Sequence, residues 1–84
     1  YGGRLIDLPM SITKKRTTYR NAYSELFDVV YRYVLYRVPV RQDAEDIVSD
    51  VFLNGYRKLG QFDEEKGTLK QWIFGIARNQ IKQH

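Results

Sequence analysis

No cysteine occurs in the 84 residues, and the one histidine, His84, is the last of them. The first absence excludes disulfide staples and thiolate chemistry. The second leaves a single imidazole at the chain's last position, too little for a His-based zinc site or a Ser-His-Asp triad. No metal or other cofactor is expected. No apolar run nears the ~20 residues of a membrane span, and no signal-peptide pattern opens the chain, so a reduced, cytoplasmic setting is expected. Alternating strand patterns are missing too, because the β-branched residues fall at helical spacing. What is present suits one small domain. Hydrophobic residues make up 43% and charged residues 29% of the chain, enough for folding and for solubility. A chain this short buries only roughly 60–65% of its unfolded surface, so its core is thin.

Net charge is +4, and its distribution says more than its total. Within residues 1–20, Arg4, Lys14, Lys15, Arg16 and Arg20 stand against one acid, Asp7. Residues 42–56 hold Asp43, Glu45, Asp46 and Asp50 and no base, whereas the last fourteen residues hold Arg78 and Lys82 and no acid. Segregation of this kind suits a basic partner for the middle and a polyanion for the end. Ordinary solvated helix faces are the plainer reading of the same charges.

Residues 1–20 contain Gly2, Gly3 and Pro9, and their apolar residues fit no helical period across the proline. An N-terminal arm or short broken helix is expected over 1–20, ahead of a helical domain over 21–84. From Asn21, a fair N-cap, Tyr23, Leu26, Phe27, Val30, Val34 and Val38 recur at three- and four-residue steps. They predict a helix over 21–38 that Pro39 ends. Asp43 is placed to cap a second helix over 44–59 with Ala44, Ile47, Val48, Val51, Phe52, Tyr56 and Leu59 on its core face and Gly60 as its stop. In the loop over 60–67, Phe62 is the one large apolar residue. Thr68 and Gln71 then make a capping box for a third helix over 69–84 that buries Leu69, Trp72, Ile73, Ile76 and Ala77. This helix meets no stop signal, from which the chain is expected to be a fragment. The fold class is all-α: a compact bundle of three main helices, with a fourth short N-terminal helix if residues 1–20 order.

At 100° per residue, the side of the second helix away from the core collects Asp43, Asp46, Asp50, Leu53 and Arg57, flanked by Ser49. Leu53 sits among carboxylates. It is either one of the single exposed leucines found on any surface or an apolar anchor inside a polar rim. The solvent side of the third helix collects Gln71, Gly75, Arg78, Asn79 and Lys82, with Phe74 at its flank. Basic and amide side chains beside an aromatic are the inventory for phosphate contacts and base stacking, and equally for a generic basic helix end.

The stretch Asp43-Ala-Glu-Asp-Ile-Val-Ser-Asp-Val-Phe-Leu53, followed by Tyr56-Arg-Lys-Leu59, Phe62-Asp63, Gly67 and Trp72-Ile-Phe-Gly-Ile-Ala-Arg-Asn79, resembles region 2 of bacterial sigma factors. Within that sigma-70 superfamily it looks most like the extracytoplasmic-function (ECF) group. The resemblance covers about residues 21–84 and rests on the ordered combination rather than on any one piece. It implies a region 2 helical bundle that serves transcription initiation and is not an enzyme. The helix matching 43–59 would dock on the coiled coil of the RNA polymerase β′ clamp. Asp46 and Asp50 would meet its basic residues, Leu53 would supply the apolar contact, and Ser49 stands where the family commonly has glutamine.

The loop and third helix would read the promoter −10 element by capturing a base flipped out of the nontemplate strand. The matching positions are Phe62, Phe74, Ile76 and Asn79, with Lys58 at the border and Arg78 and Lys82 on phosphates. Trp72 matches the family's tryptophan, and its place on the core stripe favours packing over a melting wedge. An anti-sigma factor is a further implied partner. Two family features find no match here: the −35-reading domain, and the first amphipathic helix of region 2, which Pro9 and the Lys14–Arg16 cluster interrupt. The alternative from another class is a helical protein–protein interaction domain, adaptor or anti-sigma in type, without DNA binding.

Overall fold

The computed structural model describes residues 11–84. Three α-helices and one short 3-10 turn make up the described chain: α1 over Ile12–Arg37, α2 over Arg41–Arg57, the 3-10 turn over Leu59–Gln61, and α3 over Leu69–Gln83. The all-α bundle expected from the periodicity is the fold observed. No described helix is long and apolar enough to cross a membrane.

The first helix starts nine residues earlier than the expected Asn21, and the reason is tertiary. Ser11, not Asn21, is the N-cap, its hydroxyl accepting from the Lys14 amide at 3.2 Å. Pro9 precedes that cap and so breaks nothing, and Lys and Arg are good helix formers rather than interruptions. The segment is then pinned from afar. The Tyr19 hydroxyl donates to the Phe52 carbonyl at 2.6 Å, and Lys15 Nζ donates to the Gly60 carbonyl at 3.1 Å. Residues 12–20 are therefore the opening turns of α1, not an arm. The arm and the fourth short helix expected further upstream lie, over residues 1–10, outside the described residues.

The second helix also differs at its start. It begins at Arg41 with Val40 as a cap that offers no side chain. Asp43 falls in the first turn, where a carboxylate still suits the positive end of the helix dipole. The second and third helices end at Arg57 and Gln83. The capping box at the start of α3 forms as expected, with both reciprocal bonds present.

Val30, Val34, Val48, Val51, Leu59 and Ile73 are the large side chains wholly withdrawn from water. They place the core between all three helices, with the 3-10 turn as its floor. Tyr23 and Tyr56, expected on the core stripes, are exposed at the edge of it. They form the rim of an aromatic column that joins α1 to α2: Tyr56 against Tyr19, then Phe52, Tyr23 and Phe27, with ring centroids 5.0–6.3 Å apart. Edge-on and offset contacts of this sort add roughly 0.5–1.5 kcal/mol each beyond area burial.

Candidate functional site

The acidic helix comes first. Asp43, Asp46, Asp50, Leu53 and Arg57 follow one another at three- and four-residue steps, which draws a single stripe along α2. The opposite side, Ala44, Ile47, Val48, Val51 and Phe52, is buried, so the stripe is turned outward. Ser49, Asp46 and Asp50 are exposed, and Leu53 is 48% exposed. Leu53 is thus an apolar side chain held at the surface one turn from Asp50 and Ser49. Beside the stripe, a groove of about 250 Å³ opens towards α3, lined by Asp43, Asp46, Ile47, Asp50, Gln80, Gln83 and His84, with His84 Nε2 3.6 Å from Asp43 Oδ2. Asn54 Nδ2 donates to Gln80 Oε1 at 3.1 Å and ties α2 to α3.

On the other side of the sequence, the loop after α2 folds back over the start of α3. Its backbone is held by local bonds: the Glu65 amide to Asp63 Oδ1 at 3.0 Å, and the Lys66 amide to the Asp63 carbonyl at 3.0 Å. Between loop and helix lies a cavity of about 430 Å³ lined by Gln61, Phe62, Asp63, Lys66, Gly67, Thr68, Gln71 and Trp72. A shallower depression continues from it along α3, sharing Lys66, Thr68 and Gln71 and adding Lys70, Phe74 and Arg78. Cavity and depression together make a track with aromatic walls and three basic side chains. Lys82 is exposed one turn beyond Arg78 on the same helix.

The base-reading positions do not assemble as the resemblance implied. Phe62 is only 6% exposed and belongs to the core. Its ring leans on Trp72 with centroids 5.5 Å apart. It therefore walls the cavity instead of standing free as a platform, because an apolar ring in a polar loop gains more by burial than by display. Phe74 is half-buried, its ring edge-on to Tyr33 at 5.1 Å. Ile76 is half-buried against the core and Asn79 is exposed, and neither lines the cavity or the depression. The cause is helix rise: Asn79 lies eleven residues past Thr68, about 16 Å along the axis. Lys58 is exposed at the C-cap of α2 and lines neither depression.

Lys66, Thr68, Gln71, Gln61 and Asp63 line the cavity without having been singled out for it. The capping box was the available signal, since it fixes where loop 60–67 must meet the helix. Trp72 is half-buried between the core and the cavity wall, which joins its packing role to a place at the cavity.

Comparison with known proteins bears on the whole of this region. The family model described as sigma-70 region 2 matches residues 22–84. The chain is 39% identical over 62 residues to "ECF RNA polymerase sigma factor BldN" of Streptomyces coelicolor, covering 74% of this chain and 24% of that protein. It is 32% identical over 57 residues to "ECF RNA polymerase sigma factor SigM" of Bacillus subtilis, covering 68% of this chain and 34% of that protein. The chain thus spans about a quarter and a third of these two relatives. No solved structure matches it. With the matched segment running from α1 through the acidic stripe and the cavity to the end of α3, the chain belongs to the sigma-70 region 2 family, on its ECF side by likeness to these relatives.

Proposed function

We propose that this chain is the polymerase-binding and −10-reading module of a transcription initiation factor. The observation that carries the reading is the division of surface within one small bundle: an outward acidic stripe with Leu53 on α2, and an aromatic-walled, base-lined track at the loop and α3. The stripe suits a basic coiled coil such as the β′ clamp of RNA polymerase, Asp46 and Asp50 pairing with cations around Leu53. Exposed Ser49 is a smaller contributor to the same face.

The track suits single-stranded DNA. A base flipped from the nontemplate strand enters the cavity and stacks against the Phe62–Trp72 wall, while Lys66, Arg78 and Lys82 hold phosphates. Extrusion costs a few kcal/mol, and stacking returns roughly 1–3 kcal/mol per base. A captured base cannot re-pair, so binding free energy alone shifts the duplex towards the open state. Phe74 contributes its exposed edge on the phosphate side. Lys58, Ile76 and Asn79 lie off the track and belong to an adjoining part of the strand path. An anti-sigma factor competing for these surfaces is the expected regulator.

The test uses the protein with RNA polymerase core. Leu53→Ala and Asp50→Lys should each weaken core binding about tenfold, as central anchors and charge reversals do, with helical circular dichroism unaltered. Labelled fork DNA with an unpaired −10 segment should bind the assembly with sequence preference. Unchanged core affinity in both variants removes the clamp assignment. Core binding without any −10 preference favours a protein–protein interaction domain instead.

A further inference from the structure

Lys15, in the first turn of α1, reaches a residue 45 positions further along the chain: its Nζ donates to the Gly60 carbonyl at 3.1 Å. That oxygen lacks a backbone partner. The neighbouring carbonyls of Lys58 and Leu59 accept from the Gln61 and Phe62 amides at 2.8 and 3.1 Å, but no described backbone N–H turns to Gly60. A cation is favoured where a helical segment ends in bare carbonyls. Lys15, Gly60, Asp63, Glu64 and Glu65 line one depression of about 430 Å³, and Lys15 is the only cation lining it. Glycine's conformational freedom is not what shapes the turn. No described glycine has a positive φ, and a Cβ at Gly60 would meet nothing within 4 Å.

The other bonds of the loop are local, the Glu65 and Lys66 amides both closing on Asp63. Among the described residues, Lys15 gives loop 60–67 its one hydrogen bond to any of the three helices. The donor stands on a fixed base, since Tyr19, one turn on, is bonded to the Phe52 carbonyl. Gln61, Phe62 and Asp63 line both this depression and the cavity against α3, so a shift of that segment reshapes the two together. We infer that Lys15 is a positioning residue for the cavity: from α1 it latches the Gly60 carbonyl and holds segment 61–63 in place as the cavity wall. The latch stands on this geometry, and its bearing on DNA rests on the base-capture reading above.

Lys15→Met keeps an unbranched stem and removes the donor, whereas Lys15→Arg keeps donor and charge. Lys14→Met removes the same charge from the exposed neighbouring position, about 100° round the helix. Amide hydrogen exchange by NMR is read at Phe62, Glu65 and Lys66, with the last turn of α3 as reference. In Lys15→Met those three amides should exchange about three- to fivefold faster than in the wild type, the worth of one hydrogen bond. Lys15→Arg and Lys14→Met should stay close to wild-type rates. Loop rates unaltered in Lys15→Met, or raised equally in Lys14→Met, overturn the latch. The second arm is binding of fork DNA with an unpaired −10 segment by each protein with polymerase core. Lys15→Met should lose about threefold in affinity beyond Lys14→Met, and Lys15→Arg should recover it. Faster loop exchange with that difference missing keeps the latch and takes base capture away from this cavity.

Discussion

Two glycines of similar appearance in the sequence have opposite roles. At Gly55 on α2, side chains from α1 and α3 both close in: a Cβ there would meet Ile73 Cδ1 at 2.8 Å and the Tyr19 hydroxyl at 2.9 Å. That hydroxyl is tethered to the Phe52 carbonyl and cannot move aside without losing a buried bond. Gly55→Ala should destabilise by about 1–3 kcal/mol, the usual penalty of overpacking. Gly75 faces open space, its nearest neighbour being Arg78 Nη2 at 3.9 Å. Gly75→Ala should stabilise by about 0.8–1.0 kcal/mol through helix propensity alone. Thermal unfolding monitored by circular dichroism separates the two. Midpoints that move the same way in both variants contradict the geometry. Gly75 therefore does not serve the free fold, and its bare backbone lies on the α3 face assigned to DNA.

At the scale of elements, the join between α1 and α2 rests on Tyr19. Burial raises the pKa of its phenol above the ordinary value, with Tyr23 adding to the effect. A folded-state pKa above the unfolded value of about 10 means that the native state holds the proton longer. The stabilisation it represents is complete below pH 10 and is lost as pH climbs beyond it. Stability should therefore fall on the alkaline side, and Tyr19→Phe should flatten that fall while costing about 1 kcal/mol at neutral pH for the missing hydrogen bond. Urea unfolding at pH 7, 10 and 11 checks this, and equal alkaline losses in both proteins would clear Tyr19 of the role. The same tyrosine explains why α1 extends back to Ile12. Its anchor lies 33 residues away on α2, so the local signals, the Ser11 cap and the helix-forming Lys and Arg residues, reveal only that a helix can start there and not what holds it.

At the scale of the whole molecule, the charge segregation becomes two surfaces with two physical consequences. If the proposed function holds, the acidic stripe would act at short range on one partner. On the proposed reading, the cations along the track would act on phosphates through counterion release, which carries no sequence information. Arg78→Ala should lower affinity for every fork DNA alike and reduce the slope of log K against log salt by about 0.7–1 unit. A salt titration on two unrelated −10 sequences is the measurement. An unchanged slope takes Arg78 off the phosphate path, and loss on one sequence only reassigns it to base reading. With a net charge of only +4, the domain alone should bind DNA feebly, and the preference should emerge in complex with polymerase.

Helix periodicity is a local property: a fixed 100° step per residue sorts side chains into faces whatever the neighbours do. For that reason the three helices, the outward placement of Asp46, Asp50 and Leu53, the exposed Arg78 and Lys82, and the capping box at Thr68 could all be read in advance. The burial of Phe62, the exclusion of Ile76 and Asn79 from the cavity, and the close approach at Gly55 could not. Each depends on how segments distant along the chain are brought together. A loop has no period to sort its side chains. Whether Phe62 faces water or the core is settled only when Trp72 arrives beside it, and the cavity exists only because α3 returns beneath the loop.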